Sequence, residues 1–255
     1  MLVVFSAVLG LLVGSFLNVC ILRIPRDESI TVGRSHCMSC GHTLSPLELM
    51  PVFSWLALRG RCRSCGVKVS PRYLVVEALN AILYLLVALR FGFSWQALIY
   101  FCFVSLLLVV TFIDIDWQII PDGVLLAGLL PGVLCAAFSL FVPWYEALLG
   151  VVVGGGSLLA VDLLGRLLFK KESMGGGDVK LLALIGLYIG WKLTLLSLVF
   201  AILSGALVGL LVLARSKEEE RSGRMMPFGP FLALGAVVSL LWGTPFLHWY
   251  FSLLF

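Results

Sequence analysis

The sequence predicts an all-α polytopic membrane protein of about eight transmembrane helices, with a small cytoplasmic zinc-binding loop domain between helices 1 and 2. Two observations predict the helices. Of 255 residues 61% are hydrophobic and only 13% charged, which is more apolar surface than a soluble core of this size buries. The apolar residues also fall in runs near the length that spans a bilayer core of about 30 Å. A third observation predicts the loop: the unit Cys-x-Ser-Cys-Gly occurs twice, at Cys37–Gly41 and Cys62–Gly66, inside the one sizeable polar stretch.

The apolar runs lie near 2–22, 74–90, 96–113, 123–142, 145–168, 179–190, 193–213 and 229–252. The first has no Lys or Arg before Arg23, so it lacks the basic start of a secretory signal and reads as a retained helix. Its Gly10, Gly14 and Ser15 suit close helix packing in lipid. Asn18 sits at membrane depth, either bonded to a neighbouring helix or functional, and Pro25 ends the run. The sixth run is short and stops at Gly190, Trp191 and Lys192, so with the seventh it reads as a tight helical hairpin.

Orientation follows from the basic residues. Arg23, Arg26, Arg34, Arg59, Arg61, Arg63, Lys68 and Arg72 fall between the first two runs. Arg166, Lys170, Lys171 and Lys180 flank a loop at 169–178, and Arg215, Lys217, Arg221 and Arg224 lie at 214–228. Only Arg90 and Lys192 of the 18 fall elsewhere. Because Lys and Arg accumulate on the cytoplasmic side, these three loops belong there and both termini belong outside. The chain divides into a first transmembrane helix (1–25), a cytoplasmic four-cysteine segment (26–72) and the remaining transmembrane helices (73–255).

Segment 26–72 is too small to bury a core of its own, and a structural metal is a usual remedy. Thiolates two residues apart can share one tetrahedral ion, so Cys37, Cys40, Cys62 and Cys65 form a closed structural zinc site. Arg34, Arg61, Arg63 and Lys68 offset its excess negative charge, and the glycine after each second cysteine permits the positive φ of a knuckle turn. Two disulfides are the alternative, disfavoured on the reducing cytoplasmic side. His36 and His42 flank the first knuckle, but four cysteines already fill the site. Cys20, Cys102 and Cys135 stand singly in apolar runs as small core residues. Residues 44–58 are too apolar for a free loop and are expected to lie on the membrane surface or over a catalytic opening. Ser70 and Pro71 start the second helix, placing Arg72 and Glu77 near its cytoplasmic end.

Carboxylates at the edge of apolar runs mark functional sites, because burying their charge is costly. The third run finishes at Asp114, Pro121 breaks the chain, and Asp122 is placed to cap the fourth helix. Asp116 points about 200° away from Asp114 on a helix, so it is solvated or supporting. Asp162, in the middle of the fifth run, pairs with Arg166 four residues on or joins a polar network near the site. Asp178 follows Gly175, Gly176 and Gly177. It either caps the sixth helix behind a flexible hinge or carries a bare backbone that a substrate can approach.

The basic-residue distribution puts Asp114 and Asp178 at the same, cytoplasmic, ends of their helices. Two aspartates in hydrogen-bond range share one proton. The ionised one can then activate water while the other polarises a scissile carbonyl, which is aspartic-protease chemistry. No Ser-His-Asp set competes, since His248 falls near the outer end of the last run.

Asp114-x-Asp116-x-x-x-Ile120-Pro121-Asp122, Gly175-x-Gly177-Asp178, Gly14-Ser15-Phe16-Leu17-Asn18-Val19 and the paired cysteine knuckles together resemble the bacterial type IV prepilin peptidases, of the GxGD class of membrane aspartyl proteases. The resemblance spans essentially the whole chain and implies Asp114 and Asp178 as the catalytic pair. It implies cleavage of the basic leader from type IV prepilins and type II secretion pseudopilins, after a glycine, at the cytoplasmic face of the bacterial inner membrane. For members with the four-cysteine loop it further implies N-methylation of the new terminus with S-adenosylmethionine, with Arg72 and Glu77 as cofactor residues. No Rossmann-type glycine pattern supports methyl transfer independently. Two other classes account for less: a transporter, which calls for midplane charges and inverted repeats, and a zinc ribbon binding nucleic acid. The partners expected are pilin-like substrates and the lipid bilayer, with no nucleic acid.

Overall fold

A computed structural model describes residues 2–92, 94–139, 141–169, 174–215 and 226–254. Lys170, Lys171, Lys217, Arg221 and Arg224 lie outside the described residues. Among those described, the chain forms helices α1 (Leu2–Arg23), α2 (Phe53–Ala57), α3 (Arg72–Phe91), α4 (Trp95–Trp117), α5 (Asp122–Ala137), α6 (Trp144–Phe169), α7 (Gly176–Arg215) and α8 (Gly229–Leu254), and no strands. Six of these are long and apolar enough to cross a membrane, and α5 is a shorter apolar helix.

The 40-residue α7 is not one rod. Gly190 has φ 73° and ψ 167°, outside the helical region. A side chain added at Gly154 would meet both the Leu182 carbonyl, at 2.5 Å, and the Thr194 methyl, at 3.1 Å. Twelve residues apart on a straight helix, those two would be about 18 Å apart. The chain therefore doubles back at Gly190, as the expected hairpin requires.

The chain separates into two compact units, Met1–Val109 and Val110–Phe255. In the first, α1 lies against α3 with backbones nearly touching. A side chain at Gly10 would meet the Ala81 Cα at 2.7 Å, and one at Gly14 the Glu77 Cα at 2.8 Å. Close approach of this kind is what small residues contribute in lipid. Polar side chains then fasten the pair: Asn18 Nδ2 donates to the Tyr73 carbonyl (3.2 Å), and Asn80 Nδ2 to the Gly10 carbonyl (2.8 Å). Asn18 thus takes the structural option. The Ser105 hydroxyl donates to Asn80 Oδ1 at 3.0 Å and lies 3.0 Å from the Tyr84 hydroxyl, extending the ladder to α4.

In the second unit α7 is the central element, packed by α5, α6 and α8. Gly150 of α6 and Gly186 of α7 meet backbone to backbone, as do Gly235 of α8 and Ser197 of α7. The Tyr188 hydroxyl donates to the Gly128 carbonyl of α5 at 2.6 Å. Residues 176–189 extend roughly 21 Å and α5 roughly 24 Å at 1.5 Å per residue, both shorter than the hydrocarbon layer.

Three details differ from the sequence reading. Helix α4 continues one turn beyond Asp114 to Trp117, because termination waits for Gln118, whose φ is 54°. Asp122 is the first residue of α5 rather than its cap: Pro121 holds that position and no side chain caps the helix. Cys102 is exposed whereas Cys20 and Cys135 are buried. An outward apolar side chain costs nothing where the surroundings are lipid.

Candidate active site and metal centre

The ends of α4, α7 and α8 gather at one end of the second unit, and Asp114 is where they meet. It is 5% exposed, and its Oδ2 accepts the Gly229 N–H at 2.9 Å. Gly229 is the first residue of α8, so the carboxylate sits at a helix N-terminus, where free N–H groups and the helix dipole favour an anion. A side chain at Gly229 would meet Asp114 Oδ2 at 2.7 Å, so only glycine allows this approach. Sequence reading assigned Gly229 no role. The signal was Pro227-Phe228-Gly229-Pro230, a helix start with a bare N–H among prolines.

Asp178 lies in the first turn of α7 and is partly buried, its N–H donating to the Gly175 carbonyl at 3.1 Å. Its glycine loop lies against Ile120, in the connection that follows Asp114, which brings the two carboxylates to the same end of the unit. Two contacts hold the strands of this site together. A side chain at Gly177 would meet the Ile120 Cβ at 2.9 Å, which presses the glycine loop against the α4–α5 connection. Lys180 Nζ bridges both oxygens of Asp122 at 2.7 and 2.9 Å.

Asp116 is exposed while Asp114 is buried, so the two do share no face. Asp162 is 6% exposed. Its Oδ2 accepts from Arg166 Nε at 2.8 Å, the pairing offered by their spacing, and its Oδ1 from the Met174 N–H at 3.3 Å. An apolar cavity of about 310 Å³ lies alongside, bordered by Leu158, Val161, Met174, Leu198, Phe228 and Phe231.

In the first unit the two cysteine knuckles are built alike. The Cys37 N–H donates to the His42 carbonyl and the Gly41 N–H to the Cys37 carbonyl; Cys62, Val67 and Gly66 repeat the pattern, all at 2.9 Å. Gly41 and Gly66 have φ of 71° and 70°, the left-handed turns that glycine permits. The four thiol sulfurs of Cys37, Cys40, Cys62 and Cys65 lie within 4.8 Å of one another, and those of Cys37 and Cys65 are 3.9 Å apart. Tetrahedral ligands 2.3 Å from zinc would be about 3.8 Å apart, so the set fits a metal of that kind. The Cys40 and Ser39 N–H groups pull the Cys37 thiol down to about 6, preparing a thiolate ligand. At Cys65 the Val67 N–H acts the same way, but loss of solvent and the three neighbouring thiols push it up to about 11. Shared negative charge of this sort is what a dication relieves.

The histidines stand outside the sulfur cluster; His42 Nε2 lies 3.4 Å from Glu48. The Ser45 N–H and hydroxyl both donate to Glu48 Oε2, at 2.9 and 2.7 Å, and hold its carboxyl down at about 2. This Ser-x-x-Glu turn is a capping-box pattern that the sequence displayed and our reading passed over. Within and beyond it, Leu47, Met50, Phe53 and Leu56 are exposed. Val52, with φ 62°, forms a tight turn in which the Phe53 N–H reaches the Pro51 carbonyl. Buried Glu77 steadies that turn by accepting the Val52 N–H at 2.7 Å.

The chain is similar to known proteins along most of its length. A family profile described as the bacterial peptidase A24 N-terminal domain matches residues 8–91, and one described as the type IV leader peptidase family matches residues 101–210. The chain is 40% identical to the prepilin leader peptidase/N-methyltransferase of Pseudomonas putida, over 94% of this chain and 91% of that protein. It is 38% identical to the protein of the same name from Pseudomonas aeruginosa, over 94% and 90%. A Myxococcus xanthus protein of that name is 44% identical over 82% of this chain and 63% of its own length. No solved structure matches the chain.

Proposed function

The chain belongs to the type IV leader peptidase family, and from that premise we propose that it removes leader peptides from prepilins with Asp114 and Asp178 as its catalytic pair. One observation supports the assignment: both carboxylates stand at helix N-termini at one end of the unit, Asp114 on the Gly229 N–H and Asp178 in the first turn of α7, whose glycine loop abuts Ile120. Brought within hydrogen-bond range over a substrate, two such acids do not both hold charge, so the pair keeps one proton. The ionised member takes a proton from water as the water oxygen adds to the scissile carbonyl carbon, and the protonated member gives its proton to the carbonyl oxygen. Collapse returns a proton to the second acid, the first protonates the departing nitrogen, and the peptide bond breaks.

Type II secretion pseudopilins are substrates by the same chemistry, and the enzyme works in the bacterial inner membrane with this site facing the cytoplasm. The basic-residue asymmetry supports that orientation. Reporter tags at Ile30, Glu172 and Glu220 are expected to report cytoplasm, and tags at Phe93 and Pro143 the outside. An external signal from Glu172 would part Asp178 from a cytoplasmic leader and sink the mechanism.

We assign zinc to Cys37, Cys40, Cys62 and Cys65, as a structural ion that shapes segment 26–72 between the helix of 1–25 and the protease helices of 73–255. Methyl transfer is the second activity, named in the relatives, and S-adenosylmethionine supplies its methyl group. Arg72 and Glu77 offer the opposite charges that a ligand with an ammonium and a carboxylate calls for. Glu77 also fixes the Val52 turn, so its loss is expected to loosen residues 51–53 as well.

Co-expression with a prepilin, followed by the N-terminal sequence and mass of the product, tests both activities. Loss of the leader establishes the protease, an added methyl mass the transferase, and an untouched prepilin ends the proposal. Within the glycine loop, Gly177→Ala is expected to slow cleavage about 10-fold to 10²-fold, since its Cβ meets Ile120 and displaces Asp178. Gly176→Ala adds a methyl group where nothing lies within 4 Å and is expected to be tolerated. Equal rates for the two variants would show that the loop's seat on Ile120 is unimportant.

A further inference from the structure

We propose that Asp162 is a positioning residue which clasps the glycine loop and thereby sets Asp178 against Asp114; the inference rests on reading those two as the catalytic pair. A carboxylate 6% exposed within an apolar helix is costly unless its oxygens are satisfied. Arg166 satisfies one of them, but Arg166 is itself 51% exposed, and an i,i+4 ion pair contributes too little to account for burying the acid. The other oxygen takes the N–H of Met174, the residue immediately before Gly175-Gly176-Gly177-Asp178.

Among the described residues, the space around that loop is nearly empty. A side chain at Gly176 would meet nothing within 4 Å, and the nearest atom to one at Gly175 would be Asp178 Oδ2, at 3.4 Å. Its course is therefore set at its ends, by Ile120 against Gly177 and by Asp162 on the Met174 N–H. Glycine backbone has the widest conformational freedom of any residue, so releasing the Met174 end lets the glycine-rich first turn of α7 shift and carries Asp178 with it. A misplacement of about 1 Å in a catalytic group can cost on the order of 10²-fold in rate.

The test uses the full-length enzyme in lipid nanodiscs with a purified prepilin, measuring kcat and KM. Asp162→Ala is expected to lower kcat by about 10-fold to 10²-fold with KM nearly unchanged, because the group removed does not touch substrate. Asp162→Asn keeps an acceptor for Met174 and is expected to lose less. In the Asp162→Ala background, Gly176→Ala stiffens the loop and should restore part of kcat. Normal kcat in Asp162→Ala, or a loss that Gly176→Ala leaves unrelieved, overturns the clasp.

Asp178→Asn is assayed alongside. If it is inactive while Asp162→Ala is normal, the clasp alone fails; if it is active, the catalytic reading fails first and takes the clasp with it. Should Asp162→Ala not insert, hydrogen exchange on the wild-type enzyme decides. A protected Met174 amide supports the clasp, and exchange as fast as in an unstructured peptide overturns it.

Discussion

Asp114→Asn and Asp178→Asn are each expected to reduce leader cleavage by about 10³-fold or more, with the double variant little worse than either. Either change keeps the side-chain shape but leaves one group unable to exchange a proton, so the pair no longer supplies both a base and a donor. The fold should survive at Asp114, since an Asn oxygen can still accept the Gly229 N–H. Asp116→Asn and Asp122→Asn are expected to retain activity. Asp116 is exposed, and the Asp122–Lys180 bridge joins side chains 65% and 57% exposed, a setting in which ion pairs contribute about 1 kcal/mol or less. With a pre-cleaved pilin, methylation should persist in both catalytic variants, because methyl transfer does not use the acid pair. Near-normal cleavage by Asp114→Asn would move the assignment to Asp116.

Replacing any of Cys37, Cys40, Cys62 or Cys65 by Ser should abolish stoichiometric zinc, measured by elemental analysis of the purified protein. Structural zinc contributes on the order of 10 kcal/mol to the folding of small domains. Segment 26–72 has little else, since Leu47, Met50, Phe53 and Leu56 face outward, Trp55 is only half-buried and its helix is five residues long. Losing the ion therefore releases both knuckles and the turn held by Glu77. Methyl transfer is expected to suffer at least as much as cleavage, whose acids belong to the other unit. Wild-type protein free of zinc, or serine variants that keep it, would remove the metal from the account.

The elements were legible in the chain because lipid imposes a simple rule. A helix satisfies its own backbone, so runs of sufficient length and apolarity become helices wherever they occur. The Gly190 reversal was legible as a short run followed by Gly-Trp-Lys. The end of α4 was not: Asp114 looked terminal because the apolar residues stop there, yet the backbone continues until Gln118 turns left-handed. Asp122 looked like a cap because aspartate favours that position, and Lys180, 58 residues away, claimed it instead.

By itself the sequence determined the class, the apolar helices and the paired knuckles, and it singled out the two aspartates as candidates. Each of these is written in local composition or short spacing. Only the tertiary structure decided what those aspartates meet. The Gly229 N–H lies 115 residues from Asp114, and neither residue's neighbours announce the other. The Ile120 seat of Gly177 and the hold of Asp162 on Met174 are likewise contacts between chain segments, made by backbone groups that every residue carries. A backbone N–H has no signature in a sequence, so its partner is known only once the helices have packed.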